Sequence, residues 1–313
     1  MHMFDYFLIL FLFAVLCIYA DLAVKNIKIV ASRLGLSLFS LGVILGLATS
    51  LPEFALGLSA SFRNASDISV GNLLGGVLVI FGLILGLSLV INRRVATDGQ
   101  IRSIVLIAGA LLLPLVLGLD GRLGNADGLL IMAVYLLLLF YLFYYNSREH
   151  NYHFASPLVD SGGAGKAILY AIIGVLTVIV SSNWLMATSI RILDRWQLSG
   201  FFVGMVFFAI GTNLPEIIIS LNSFRRKAAE LSLSHLISSS IANTGILGLV
   251  VFIRPAHFLV DQGYWILFTS LFVILALFTV FYHTGKKLGR WEGAILATVY
   301  LLFIILSWVG IQV

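Results

Sequence analysis

Long apolar runs alternate with short polar connections along the whole chain, and this pattern predicts ten helical spans. They lie at about 4–30, 35–61, 69–92, 101–119, 127–146, 165–192, 198–223, 231–254, 263–283 and 291–312. A run of about 18–25 apolar residues crosses a bilayer as a helix. The longest connection, from Asn146 to Ala164, is polar, carries Gly162 and Gly163, and divides the chain almost in half. The expected fold is therefore an all-α polytopic membrane protein. Its first part covers 1–146, a cytoplasmic linker covers 147–164 and a second part covers 165–313.

Composition agrees with lipid as the solvent. Of 313 residues, 60% are hydrophobic and 11% charged, with a mean hydropathy of +1.07. Soluble domains carry roughly 25% charged residues. The net charge of +5 does not imply nucleic acid as a partner, because the basic residues sit between apolar runs. Of 19 Lys and Arg, 14 lie in or beside alternate connections, beginning with the first. The positive-inside rule then places both termini outside the cytoplasm. A prokaryotic plasma membrane is the simplest home. The first apolar run has no Lys or Arg before it, and reads as a retained helix rather than a cleaved signal. Cys17, the only cysteine, reads as a packing residue.

The two parts repeat each other. A shift of 163 residues aligns 43–82 with 206–245 at 11 of 40 identities. These include Thr49 with Thr212, Leu51-Pro52-Glu53 with Leu214-Pro215-Glu216, and Arg63 with Arg226. Five spans per repeat is an odd number, so the two repeats insert with opposite orientation. Inverted repeats are a transporter architecture, with the site near the midplane at broken helices.

Glu53, Glu216 and Asp21 are the acids well inside predicted spans. An ionisable side chain at membrane depth costs about 2.5–3.5 kcal/mol even on a lenient scale, and marks a functional site by default. A helix-packing role for the two Glu is the bland alternative. Each Glu follows a proline, which breaks or kinks its helix. The carbonyls expected to lose their partners are those of Ala48, Thr49, Gly211 and Thr212. A carboxylate, a Thr hydroxyl and free carbonyls make a hard-oxygen site, suited to Ca²⁺ or Na⁺.

These segments resemble a known signature. Gly211-Thr212-Asn213-Leu214-Pro215-Glu216 looks like the G-T-S-x-P-E motif of the calcium/cation antiporter superfamily, and Ala48-Thr49-Ser50-Leu51-Pro52-Glu53 is its first-half counterpart. The layout resembles that of the prokaryotic sodium/calcium exchangers. The resemblance implies ten transmembrane helices as two inverted five-helix repeats. It also implies that spans 1 and 6 slide over a core. Glu53 and Glu216 would be the main calcium ligands. Thr49, Ser50, Thr212 and Asn213 would add oxygens, as would Ser239 and Asn243. Gly46 and Ala209 would lend backbone carbonyls to sodium. No cofactor is implied; the transported ions are the substrates, and the lipid bilayer is the partner.

The sequence also departs from the pattern. Gly76 stands where a Ser is expected and Ile80 where an amide or acid is expected. Two oxygens are missing from the first half. This weakens an inference of several Na⁺ per Ca²⁺ and leaves room for H⁺ coupling, since burial favours the protonated carboxyl. His235 falls at a family Asn and reads as a neutral hydrogen-bonding histidine facing span 7 rather than a proton site. Asp21 reads as a local cap, Arg63 and Arg226 as interfacial anchors, and the many aromatic residues as lipid-facing bulk.

The leading function is an antiporter exporting Ca²⁺ against Na⁺ or H⁺. Exchange of another cation, and a non-transporting scaffold or sensor descended from an exchanger, remain as alternatives. An enzyme is disfavoured, since no nucleophile pair, zinc motif or ATP-binding glycine loop is present.

Overall fold

The computed structural model describes residues 2–33, 48–92, 94–97, 99–146, 164–196, 198–217, 220, 229–284 and 287–309. Two long helices, α1 (His2–Arg33) and α7 (Ala164–Trp196), run side by side. Gly174 lets them meet closely: a Cβ there would lie 2.8 Å from the Ala23 methyl and from the Tyr19 carbonyl oxygen. Asp5 pairs with Arg195 at 3.3 Å and with Arg191 at 3.9 Å.

The remaining helices form the bulk of the molecule. They are α2 (Leu51–Phe62), α3 (Ser66–Leu78), α4 (Leu85–Asn92), α5 (Ile101–Leu117) and α6 (Asn125–Asn146), then α8 (Gly200–Val203), α9 (Ala209–Thr212), α10 (Ala229–Ile253), α11 (Gln262–Thr284) and α12 (Arg290–Val309). A π-helical stretch, Val79–Ile84, joins α3 to α4, and a second, Gly204–Phe208, joins α8 to α9. Among the described residues, eight helices are long and apolar enough to cross a membrane, and Gly200–Thr212 is a shorter apolar helix. Predicted spans 2 and 7, which carry the two Pro-Glu pairs, fall partly outside the described residues.

α3 is the hub. It packs on α2, α8, α9, α10 and the second π-helical stretch. Its buried run includes Leu73, Leu74, Val77 and Leu78, all at most 1% exposed. Gly71 and Gly75, one turn apart, abut the backbone of Phe201 and Met205, and Gly204 abuts the backbone of Ile68 and Asn72. Small residues at this spacing let helix backbones approach in the absence of a hydrophobic driving force. Gly86 and Gly293 do the same between α4 and α12, and Gly128 and Gly248 between α6 and α10.

Two short antiparallel ladders were not anticipated by the all-helical reading. β1 (Arg94–Ala96) pairs with β4 (Lys287–Gly289), and β2 (Arg122–Leu123) pairs with β3 (Ala256–His257). They form because helix ends leave unpaired backbone groups that need partners. Each ladder staples the first half of the chain to the second.

The exterior is apolar. Phe7, Leu10, Leu137, Phe140, Leu176 and Trp184 are all exposed. Water does not tolerate such a continuous surface, and lipid does. The protein is an integral, multi-pass membrane protein of mainly helical fold.

Candidate functional site and family

Both motif helices break at matched positions. Ser50 leaves helical geometry at φ −94°, ψ 19°, and α2 restarts with Pro52 in its first turn. Asn213 ends α9 at φ −88°, ψ 10°. The chain resumes the same way after each: Phe54 N–H donates to the Ser50 carbonyl at 3.1 Å, and Ile217 N–H to the Asn213 carbonyl at 3.0 Å. The breaks lie two residues before each proline, which explains why both helices restart with proline inside the first turn, where its missing N–H costs least.

The breaks bring the two acids into one place. Glu53 and Glu216 are each 2% exposed and near enough to repel each other electrostatically. Thr212 neighbours the Glu53 carboxyl and Ser239 that of Glu216. One oxygen of each carboxyl, Oε2, is buried without a partner. A buried carboxyl oxygen without a donor is costly unless a proton or a cation meets it.

The neutral polar residues expected at the site are buried too: Ser50, Thr212, Asn213, Ser239 and Asn243, with Ala209. The Ser50 hydroxyl, Asn213 Oδ1 and both amide atoms of Asn243 have no protein partner. Thr49 is half-buried just before the first break. Gly46 lies outside the described residues. Among the described residues, no three His, Cys, Asp or Glu side chains gather as a metal cluster. Buried carboxyl, hydroxyl and amide oxygens are donors of the kind that suit a hard cation.

The backbone carbonyls behave differently from expectation. The Gly211 carbonyl accepts from the Asn213 backbone N–H and also lies 3.9 Å from the Cys17 sulfur. The Ala209 carbonyl accepts from the Asn213 side chain at 2.8 Å. The proline argument marked the Gly211 oxygen as free, and the family resemblance marked the Ala209 oxygen as a sodium ligand; neither revealed that Asn213 supplies a donor to each.

One residue was missed. Asn72 of α3 is buried, and its Oδ1 lies 3.3 Å from the Thr212 hydroxyl. The signal was present, since the 163-residue shift places Asn72 opposite His235 beside the second motif. Gly76, one turn further along α3, faces the Asn243 and Asn213 amides. Ile80 is fully buried. His235 has a buried Nε2 without a protein partner. Asp21 is exposed on α1. Arg63 is exposed and donates to Asn183 Oδ1 at 3.2 Å; Arg226 lies outside the described residues.

Comparison with known proteins shows the family. The family described as sodium/calcium exchanger protein matches residues 4–144 and 166–309. The chain belongs to that family. This exchanger-family chain is 26% identical over 302 residues to the membrane protein MJ0091 of Methanocaldococcus jannaschii, covering 94% of this chain and 95% of that one. It is 24% identical to the sodium/calcium exchanger MaX1 of Methanosarcina acetivorans, covering 91% and 93% of the two chains. Among solved structures, it superposes on the sodium-calcium exchanger NCX_Mj with a TM-score of 0.65 at 23% identity, over 97% of this chain and 99% of that one. It superposes on the H⁺/Ca²⁺ exchanger CAX with a TM-score of 0.75 at 16% identity, over 98% and 86%. The exchanger-family chain therefore shares its fold with proteins named for Na⁺ and for H⁺ as the coupling ion.

Proposed function

We propose that the protein is a secondary active cation antiporter that exports Ca²⁺ in exchange for Na⁺ or H⁺ by alternating access. The observation that carries this reading is the meeting of Glu53 and Glu216, both buried, each with one unpartnered carboxyl oxygen. Two carboxylates balance the charge of one divalent ion. Ser50, Asn213, Ser239, Asn243, Thr49 and Thr212 provide the neutral oxygens, and the carbonyls of Gly46 and Ala209 complete the expected set. Family membership supports the reading, as do the relatives named exchangers.

On this reading the ten helices form two inverted repeats. The matched breaks at Ser50 and Asn213 support it, as do the glycine contacts. Adding 163 to Gly86 and Gly128 gives 249 and 291, each within two residues of Gly248 and Gly293. The paired helices α1 and α7 slide over the remainder, and both termini lie outside the cytoplasm.

The coupling ion follows from what the site lacks. Gly76 and Ile80 bring no side-chain oxygen from the first half, which leaves few ligands for extra Na⁺. Protonation of Glu53 and Glu216 is the alternative way to neutralise the site when Ca²⁺ leaves. The same shortage keeps exchange of another cation as a second reading.

Uptake of radiolabelled Ca²⁺ into proteoliposomes tests this, with a Na⁺ gradient or a pH gradient imposed separately, on wild type and Glu216→Gln. Uptake under one gradient, lost in the variant, identifies the coupling ion. No Glu216-dependent uptake under either gradient rejects calcium antiport and leaves another cation or a non-transporting scaffold or sensor.

A further inference from the structure

Asn213 is where the two motifs differ in size and chemistry, since its counterpart is Ser50. The helix break turns the Asn213 backbone N–H onto the Gly211 carbonyl. The Ala209 carbonyl, four residues before Asn213, loses that backbone donor. The Asn213 side chain replaces it: Nδ2 lies 2.8 Å from the Ala209 carbonyl oxygen and 3.4 Å from the Thr212 hydroxyl oxygen. A carbonyl oxygen only accepts, so the amide nitrogen must be the atom that faces it. At the matching position in the first half, the Ser50 hydroxyl is buried without a partner.

The room for this amide comes from α3. A Cβ on Gly76 would lie 3.1 Å from Asn213 Nδ2 and 2.7 Å from Asn243 Nδ2. The first of these is tight and the second is closer than real side chains come. The family Ser that Gly76 replaces would therefore compete with both carboxamides for one volume. Loss of an oxygen at 76 and gain of an amide at 213 are thus one exchange of space.

An amide N–H carries partial positive charge. Here it is aimed at two oxygens that would otherwise be open to a small cation. We propose that Asn213 is a specificity-determining residue whose tethered amide stands in for a monovalent cation at the Ala209 carbonyl and Thr212 hydroxyl, with Gly76 as the space that admits it. The protein then binds its divalent substrate with one fewer free monovalent position on that flank. This rests on the antiport reading above, and it removes the Ala209 carbonyl from the expected sodium ligands.

The test uses the purified full-length protein as wild type, Asn213→Ala, Gly76→Ser, and the Gly76→Ser/Asn213→Ala double variant. Na⁺ is titrated against bound radiolabelled Ca²⁺, and thermal unfolding is followed as Na⁺ alone is raised. Removing the amide frees the two oxygens without adding charge. Asn213→Ala is expected to steepen Na⁺ displacement of Ca²⁺, with a Hill coefficient larger by about one, and to be stabilised more by Na⁺ than wild type is. Gly76→Ser is expected to weaken Ca²⁺ binding at least about fivefold by overpacking, and the double variant to recover part of it as Asn243 moves into the vacated volume. An unchanged displacement slope in Asn213→Ala, or a double variant no better than Gly76→Ser, overturns the proposal. If wild type binds no Ca²⁺, the calcium reading falls separately. The Na⁺-dependent stabilisation then decides this inference alone: larger in Asn213→Ala than in wild type supports it, and equal or smaller overturns it.

Discussion

The Thr212 hydroxyl and Asn72 Oδ1 lie 3.3 Å apart, joining the second motif to the central helix of the first half across 140 residues of sequence. Asn72 accepts the single Thr212 proton and so fixes the orientation of that hydroxyl beside Glu53. A buried polar group left without its partner costs about 1–3 kcal/mol. Asn72→Leu is expected to weaken Ca²⁺ binding by about tenfold, on the basis of that cost, while the chain stays folded. Calcium titration of the purified variant, beside its thermal unfolding, checks both parts.

Cation binding to carboxylates competes with protons. Apparent Ca²⁺ affinity is expected to fall as the medium is acidified, because Glu53 and Glu216 must be ionised to hold the ion. Calcium titrations of the wild type across a pH series measure this. An affinity that rises on acidification would contradict it.

Gly75 faces the Met205 backbone with no room for a side chain. Gly75→Val forces α3 away from the second π-helical stretch, and overpacking of this kind costs about 1–3 kcal/mol or more. A lower unfolding temperature in detergent is expected, together with loss of Ca²⁺ binding, because Asn72 and Gly76 ride on the same helix. Gly165, which has open space around it, serves as the contrast: Gly165→Ala should leave both properties unchanged.

The Asp5 pairs with Arg191 and Arg195 join α1 to α7, but the arginine side chains are 54% and 41% exposed. Exposed pairs contribute about 0–1 kcal/mol and are screened by salt. Asp5→Asn should therefore change stability by less than about 1 kcal/mol, with the difference vanishing at high ionic strength. The close glycine contact at Gly174 is the stronger tie, and Gly174→Leu should separate the helices where Asp5→Asn does not. Cross-linking between α1 and α7 in the two variants distinguishes them.

How much of this was legible depends on the range of the interaction. The two breaks were readable because Pro52 and Pro215 act on their own helices. The acid pair was readable because Glu at membrane depth is costly and appears twice at one spacing. Asn72 was missed because its partner is distant in sequence, although the repeat sets it opposite His235. The capture of the Ala209 carbonyl was hidden because it depends on the Asn213 rotamer and on empty space at Gly76. The close approaches at Gly71, Gly75 and Gly204 were likewise invisible, since a glycine in an apolar run does not announce which backbone it meets. The β ladders escaped notice because two- and three-residue strands leave no periodicity.

The central claim is that Glu53 and Glu216 hold one cation between them. Equilibrium binding of radiolabelled Ca²⁺ to the purified wild type, Glu53→Gln and Glu216→Gln tests it most directly. The account predicts one Ca²⁺ per chain in wild type and loss of binding in each single variant, because neither carboxylate alone balances the ion. Undiminished binding in either variant would contradict a shared site.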